Sequence, residues 1–159
     1  METLEIGAVR LDAALTPHDA YARFVRPKDE PRLSDFCTRL TSIRQEDADA
    51  SHPFPEALAS FDAWIGQSPA RLCSWSRYDL EQLRRDCARH AVELPARLER
   101  HLDLQETHAR LRRSEIVSMT TAMVGESLSW DGAHHRALDD ARNGARLAAK
   151  LVAELRERP

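Results

Sequence analysis

The beginning of the chain contains the strongest constraint on the fold, because it predicts a strand that protein covers on both faces. Leu4, Ile6 and Ala8 alternate onto one face of this strand, whereas Val9 and Leu11 point to the other. A strand with one face in water would carry polar residues at every second position. Apolar residues on both faces therefore predict layers above and below the strand, as in an α/β protein.

The remaining sequence alternates between strand-like and helix-like patterns. Residues 21–25 predict a second strand, which a short turn joins antiparallel to the first. Apolar residues that step by three and four predict a long final helix. The predicted strands cover residues 4–11, 21–25, 71–75 and 102–104, and the predicted helices cover about 34–40, 54–65, 79–91, 105–113, 115–124 and 138–155, with polar loops at 27–35 and 41–53. This order predicts a single mixed α/β domain.

Composition excludes several classes of protein. The 159 residues are 42% hydrophobic and 31% charged, which disfavours disorder. A net charge of −3 is not that of a basic nucleic-acid coat, so a nucleic-acid role requires a local site. The three cysteines, Cys37, Cys73 and Cys87, are too far apart for a CxxC zinc motif. Neither a membrane span nor a secretory signal is recognisable, and we expect a reduced, cytoplasmic protein without a membrane partner.

Asp79 is the first candidate for a chemical role. It follows the predicted buried strand at 71–75 and stands where the next helix begins. Loops at the carboxyl ends of strands are where open α/β sheets bind ligands. The alternative is that Asp79 only caps the helix that follows it.

His135 and Asp140 form a second candidate group. In one continuous helix a separation of five residues rotates a side chain by about 500°, so these two would point apart. They converge only if His135 lies on the loop before the helix, where it suits a general base beside a metal ligand. The alternative is a solvated His134-His135 pair followed by acidic residues that favour a helix N-terminus.

Leu40 and Thr41, at the end of a short predicted helix, form a third candidate. A leucine followed by a threonine can stack on a ligand and hydrogen-bond to it. The alternative is that Leu40 and Ile43 are simply core residues.

Four segments, in this order and spacing, resemble the DEDDh 3′–5′ exonucleases. They read Glu-Ile-Gly-Ala-Val at 5–9, Leu-Ser-Asp-Phe-Cys-Thr-Arg-Leu-Thr-Ser-Ile at 33–43, Trp-Ser-Arg-Tyr-Asp at 75–79 and His-Arg-Ala-Leu-Asp-Asp-Ala at 135–141. Within that family the chain resembles the RNA-trimming branch related to histone-mRNA and small-RNA nucleases. The resemblance extends from Leu4 to about Leu151.

This resemblance implies an RNase H-like fold, with a five-stranded mixed sheet flanked by helices. It also implies two divalent ions, Mg²⁺ or Mn²⁺, held by four carboxylates. Two such ions stabilise both the attacking water and the leaving oxygen of a phosphodiester.

The family's functional residues match particular positions of this chain. Asp79 matches the second-motif aspartate, while His135 and Asp140 match the third motif, H-x₄-D, in which the histidine is the general base. Asp139 and His134 are the neighbouring alternatives, but an alanine follows the family's aspartate, as it follows Asp140 here. By the same resemblance, Leu40 and Thr41 match the segment that contacts the base and sugar of the terminal nucleotide.

The family's first motif, D-x-E followed by threonine, is absent from this chain. Met1-Glu2-Thr3 echoes that motif, but no residues remain for the turn that should precede Glu5. The resemblance makes the missing strand the central one of the sheet. With Asp79 and Asp140 alone, tight two-ion binding is expected to fail. We therefore expect residues 1–159 to form a single exonuclease-like domain that is N-terminally incomplete and inactive in this form.

The expected function is metal-dependent removal of nucleotides from single-stranded 3′ ends, RNA rather than DNA. The expected partner is accordingly a single-stranded nucleic-acid 3′ end. The alternative is a non-catalytic exonuclease-like protein that binds nucleic acid or acts as a regulatory interaction protein.

Overall fold

The computed structural model describes residues 1–67 and 69–157, and it confirms the predicted mixed α/β class. Its strands are β1 (Glu5–Leu11), β2 (Pro17–Arg26), β3 (His52–Pro53), β4 (Leu72–Ser74) and β5 (His101–Asp103). Its helices are α1 (Asp35–Thr41), α2 (Gln45–Asp49), α3 (Phe54–Ile65), α4 (Tyr78–His90), α5 (Leu104–Arg112), α6 (Met119–Gly125) and α7 (Ala137–Glu157), with a short 3₁₀ helix at Ala96–Glu99.

The first sheet is built on the antiparallel hairpin of β1 and β2. Its register runs from Glu5 opposite Phe24 to Leu11 opposite Pro17, with an irregularity before Leu11. The hairpin was predicted, but β2 begins earlier than expected, because residues 17–19 before the predicted strand already pair with β1. The two-residue strand β3 extends the sheet in parallel beside β2.

The second sheet is the parallel pair of β4 and β5, with Ser74 opposite Asp103. Parallel strands need a crossover connection, and α4 lies in it. Among the described residues, β1 and β4 each pair along one edge only, so the five strands form two sheets rather than the single five-stranded sheet that the resemblance implies. The expectation that β4 is buried was wrong, since Cys73 is exposed on this short strand with one unpaired edge.

Two apolar clusters hold the layers together. In the larger cluster, α3 packs on the hairpin, and its buried residues are Ile6, Tyr21, Val25, Phe54, Ala57, Leu58, Phe61, Cys87 and Leu98. In the smaller cluster, Leu147 of α7 packs against Ala122 and Met123 of α6 beneath Trp75 and Trp130. Helix α7 also packs along β1, so it connects the hairpin to the smaller cluster.

Two predicted boundaries were wrong. Residues 41–53 are not simply a loop, because they contain α2 and β3. Gln45 stabilises this segment through distant backbone groups: its side chain accepts from Leu33 N at 2.8 Å and donates to Pro31 O at 2.8 Å. The helix predicted at 115–124 begins only at Met119, because Ser118 caps it. No helix of residues 1–67 or 69–157 is long and apolar enough to cross a membrane.

Candidate active site

The close packing of α7 on β1 determines where the third-motif residues lie. Glu5 of β1 has a side chain only 7% exposed, and its Oε2 accepts from the backbone N–H of Ala137 at 2.9 Å. The same carboxylate pairs with Arg136 at 3.2 Å. A carboxylate at a helix N-terminus satisfies free N–H groups and interacts favourably with the helix dipole. Glu5 therefore anchors the first turn of α7.

His135 lies on the loop before α7, as its convergence with Asp140 requires. The residue has a φ of 62°, in the left-handed region, and α7 begins two residues later. The backbone N–H of His135 donates to the Asp140 carboxylate. The backbone N–H of Asp140 in turn donates to Arg136 O at 2.9 Å. These contacts hold the loop against the first turn of the helix, with both His134 and His135 exposed.

Asp79 lies in the first turn of α4, directly after β4. The expected alternative was a helix cap, but the N-cap position is Arg77 and it makes no side-chain capping bond. Ser76 instead accepts from the backbone N–H of Tyr78 at 3.2 Å. Ser74 and the backbone N–H of Asp79 lie beside the Asp79 carboxylate and lower its pKa, which offsets part of the effect of burial. The Asp79 side chain is therefore not the N-cap of α4, and its carboxylate is available for another role.

Asp79 and Asp140 are near enough to interact electrostatically, although they are distant in the sequence. Burial raises the pKa of both carboxyl groups above their ordinary value. Asp79 is solvent-accessible as a residue, but protein atoms still surround enough of its carboxyl group to raise its pKa. The negative charge of Asp79 raises the pKa of Asp140 further, whereas the nearby His135 and His134 lower it. Two carboxylates that repel each other form an arrangement that a cation would relieve.

Ser74 and His101 complete the surroundings of Asp79, and the sequence analysis did not identify either of them. The Ser74 hydroxyl lies 2.7 Å from His101 Nε2, and His101 also interacts electrostatically with Asp79. Burial lowers the pKa of His101, and its Nδ1 is buried without a hydrogen-bond partner among the described residues. The two residues meet because β4 and β5 are parallel neighbours, and no local sequence pattern reveals that pairing.

Leu40 and Thr41 lie at the C-terminal end of α1. Leu40 is 41% exposed, whereas Ile43 is 2% exposed, so only the isoleucine belongs to the core. The Thr41 hydroxyl donates to Cys37 O at 2.9 Å and accepts from Ile43 N at 3.2 Å. Among the described residues, no hydrogen bond links this pair to Asp79 or Asp140.

The donor atoms suit a hard divalent cation, although they are few. Within residues 1–67 and 69–157, no group of three or more His, Cys, Asp or Glu side chains is placed to hold a metal ion. Mg²⁺ commonly binds through one or two carboxylates and completes its shell with waters and substrate phosphates. The carboxylates of Asp79 and Asp140 are thus the type and number of protein donors that one such ion uses, and a second ion would need further carboxylates.

Comparison with solved structures defines the fold. The nuclease domain of 3′hExo, a DEDDh family member bound to rAMP, superposes with a TM-score of 0.91 at 24% identity, covering 96% of this chain and 82% of that one. Exonuclease X, in complex with 5′ overhanging duplex DNA, superposes with a TM-score of 0.73 at 16% identity, covering 96% of this chain and 88% of that one. The fold is that of the DEDDh nucleases. The chain itself belongs to the RNase T exonuclease family, whose model matches residues 1–148.

Curated relatives support the same family. ERI1 exoribonuclease 2 from Homo sapiens is 29% identical over 174 residues, covering 95% of this chain and 25% of that protein. The 3′–5′ exonuclease Snipper from Drosophila melanogaster is 25% identical over 171 residues, covering 95% of this chain and 61% of that protein. The chain thus spans about a quarter of the length of ERI1 exoribonuclease 2. The resemblance to DEDDh exonucleases is confirmed.

Proposed function

We propose that this protein is a metal-dependent 3′–5′ exonuclease that removes nucleotides from single-stranded 3′ ends, RNA rather than DNA. The observation that carries the proposal is that His135 and Asp140 lie together at the start of α7, near enough to Asp79 of α4 for its charge to raise the pKa of Asp140. The Asp79 charge acts on the Asp140 carboxylate, and His135 donates its backbone N–H to that same carboxylate. Two carboxylates beside a histidine form the minimum set for metal-assisted hydrolysis.

Each residue has a defined part in the proposed reaction. Asp79 and Asp140 hold Mg²⁺ or Mn²⁺, which when bound polarises the scissile phosphate and lowers the pKa of water. The imidazole of His135 accepts the proton of the attacking water. Ser74 favours the ionised form of the Asp79 carboxyl, since it lowers the pKa of that group. Leu40 and Thr41 contact the base and sugar of the terminal nucleotide.

The preference for RNA is supported by the names of the relatives. ERI1 exoribonuclease 2 and 3′–5′ exoribonuclease 1 are both named for ribonuclease activity. One structural neighbour shows 3′-end specific recognition of histone mRNA stem-loop by 3′-exonuclease, with a TM-score of 0.90 at 23% identity. We extend this preference to the present chain as part of the proposal.

A two-ion reaction needs more carboxylates than Asp79 and Asp140. The resemblance supplies them on a D-x-E strand ahead of Glu5, beside the edge of β1 that has no partner among the described residues. We propose that full activity requires those carboxylates and that the 159 residues alone are inactive or only weakly active.

A second candidate function is non-catalytic binding of nucleic acid or regulatory interaction with another protein. One observation favours it: the described part of the chain contains no cluster of three potential metal ligands. On this alternative the exonuclease fold is retained while hydrolysis is lost.

The deciding experiment follows the shortening of a 5′-labelled single-stranded RNA, and of a DNA of the same sequence, with Mg²⁺, Mn²⁺ or EDTA. It compares the 159-residue chain with a longer chain that includes the residues encoded in frame before Met1. We expect metal-dependent shortening from the 3′ end by the longer chain, faster on RNA. His135→Ala should lower this rate roughly 10²- to 10⁴-fold, the usual contribution of a general base. His18→Ala, at an exposed histidine on β2, is the matched control and should keep the full rate.

Two outcomes would contradict the proposal. One is the absence of metal-dependent shortening by the longer chain, and it would leave the binding function as the better explanation. The other is an unchanged rate in His135→Ala, which would remove His135 from the reaction.

A further inference from the structure

The loop that carries His135 contains backbone conformations that are unfavourable for most residues. We define this loop, the His135 loop, as residues 131–136. Gly132 has a φ of 83° and His135 a φ of 62°, so two of its residues lie in the left-handed region. A non-glycine residue persists in that region only where surrounding contacts hold it there. The position of His135 therefore depends on what anchors this loop.

Asn143 of α7 provides the main anchor. Its side chain is completely buried, at 0% exposure. Its Oδ1 accepts from Asp131 N at 3.1 Å, while its Nδ2 donates to Asp131 O at 2.7 Å and to Asp139 O at 2.8 Å. Both ends of one amide thus bind both backbone groups of Asp131 and tie the loop to the first turn of α7. The Oδ1 atom also accepts from Arg146 at 3.2 Å.

Asp139 provides a second anchor in the middle of the loop. Its Oδ2 accepts from the backbone N–H of Ala133 at 3.0 Å. The loop passes so close that a Cβ added at Gly132 would lie 2.6 Å from Asp139 Cγ. Asp139 is therefore engaged with the loop, which fits Asp140 rather than Asp139 as the proposed metal ligand.

We propose that Asn143 is a positioning residue for His135. This inference rests on the proposed function, since it concerns the histidine assigned there as the general base. Asparagine suits this position because the backbone of Asp131 offers one N–H donor and one carbonyl acceptor. A side-chain amide carries its acceptor and its donor on separate atoms, so it can bind both of these backbone groups at once. An aspartate of the same shape loses the donor and turns a carboxylate towards two carbonyl oxygens. Asn143 acts through the loop and touches neither the substrate nor the cation.

The test measures the loop directly as well as the reaction. Hydrogen exchange of the Asp131 amide reports the bond to Asn143 without any need for activity. In Asn143→Ala we expect this amide to lose protection roughly five- to tenfold, the effect of one hydrogen bond of ordinary net strength. Nuclease assays of the longer chain with Mg²⁺ should show kcat lowered roughly ten- to a hundredfold and KM for RNA unchanged, as a misplaced catalytic group predicts.

Leu147→Ala is the matched control for general destabilisation. Leu147 is also 0% exposed and lies on α7, but it packs against α6 in the smaller apolar cluster. This variant should unfold more easily than the wild type and yet keep the Asp131 protection pattern and kcat at a temperature where it is folded. If Asn143→Ala does not fold, Asn143→Ser replaces it, because the single, shorter hydroxyl leaves a polar group at the site but replaces only part of the amide's bonds to Asp131 and Asp139; the same losses of protection and kcat are expected.

A double variant separates positioning from structure. If Asn143 acts through His135, adding Asn143→Ala to His135→Ala causes no further loss of kcat. Three results would overturn the proposal. The first is a double variant whose kcat falls below that of His135→Ala by the full factor seen for Asn143→Ala alone. The others are an Asn143→Ala variant in which the Asp131 amide loses protection while kcat stays normal, and one in which that amide exchanges as in the wild type. If no variant or wild type is a nuclease, the proposed function fails, and the exchange arm still decides whether Asn143 holds the loop.

Discussion

Replacing Gly7 with alanine should force strand β1 away from helix α7. A Cβ at this position would lie 2.2 Å from the carbonyl carbon of Ala137, 2.3 Å from Leu138 N and 2.5 Å from Ala137 O. All three atoms belong to the backbone, so no change of rotamer can relieve the overlap. The first turn of α7 must move by more than an ångström to restore ordinary contact distances.

The size of the effect follows from two terms. Forcing an extra methyl group into close packing costs about 1–3 kcal/mol. The movement also weakens the hydrogen bond from Ala137 N to the Glu5 carboxylate, and a bond to a charged group contributes about 1.5–3 kcal/mol. We therefore expect Gly7→Ala to lower the free energy of unfolding by roughly 3–5 kcal/mol, a large part of a typical 5–15 kcal/mol.

Gly144→Ala is the control on the same helix. A Cβ there would lie 3.9 Å from Met119 Sδ, which is an ordinary van der Waals contact. Alanine favours a helix interior over glycine by about 0.5–1 kcal/mol, so this variant should be slightly more stable than the wild type. Urea unfolding followed by far-ultraviolet circular dichroism measures both changes. If the two variants unfold at the same urea concentration, the close approach of β1 and α7 is wrong.

Two further predictions concern charged groups and pH. Glu126→Gln should lower the free energy of unfolding at neutral pH by about 1.5–3 kcal/mol, since the buried Glu126 carboxylate hydrogen-bonds to Arg112. Arg112 holds the pKa of Glu126 below its ordinary 4.5, so this stabilisation is present above that pH and lost as the pH falls. The reasoning would be contradicted if urea unfolding at about pH 2 still showed the full difference between the wild type and Glu126→Gln. Asp79→Asn should have the opposite sign, because burial raises the pKa of Asp79 above 3.8 and its ionisation opposes folding as the pH rises. In EDTA the melting temperature of Asp79→Asn should be higher than that of the wild type at neutral pH, and equal to it well below pH 3.8. A lower melting temperature of the variant at neutral pH would refute this.

Local patterns predicted the parts of the fold that depend on nearby residues. The short connection between two strand-like segments predicted the antiparallel hairpin, and the stepped apolar residues predicted α7. The segment at 41–53 was missed because α2 is polar and depends on contacts of Gln45 with Leu33 and Pro31. Short polar helices carry little periodicity, so distant contacts decide whether they form.

The candidate site divides in the same way. The motif spacing singled out Asp79, His135 and Asp140, and the rotation argument required His135 to lie on the loop before α7 if it is to converge with Asp140. Nothing in the sequence indicated that Ser74 lies beside His101, or that Asn143 binds the loop that carries His135. These side chains acquire their partners through strand pairing and helix packing, which join residues with no fixed spacing along the chain.

The order of residues was sufficient to predict the mixed α/β class, the hairpin and the long final helix, and it singled out the candidate reactive groups. Those properties depend on periodicity and on residue type, and both are local. Folding alone settled that the charge of Asp79 acts on Asp140, and that Glu5 and Gly7 bring α7 against β1. Such contacts arise from dense packing between elements, where one added methyl group or one lost amide is enough to move a side chain away from its partner.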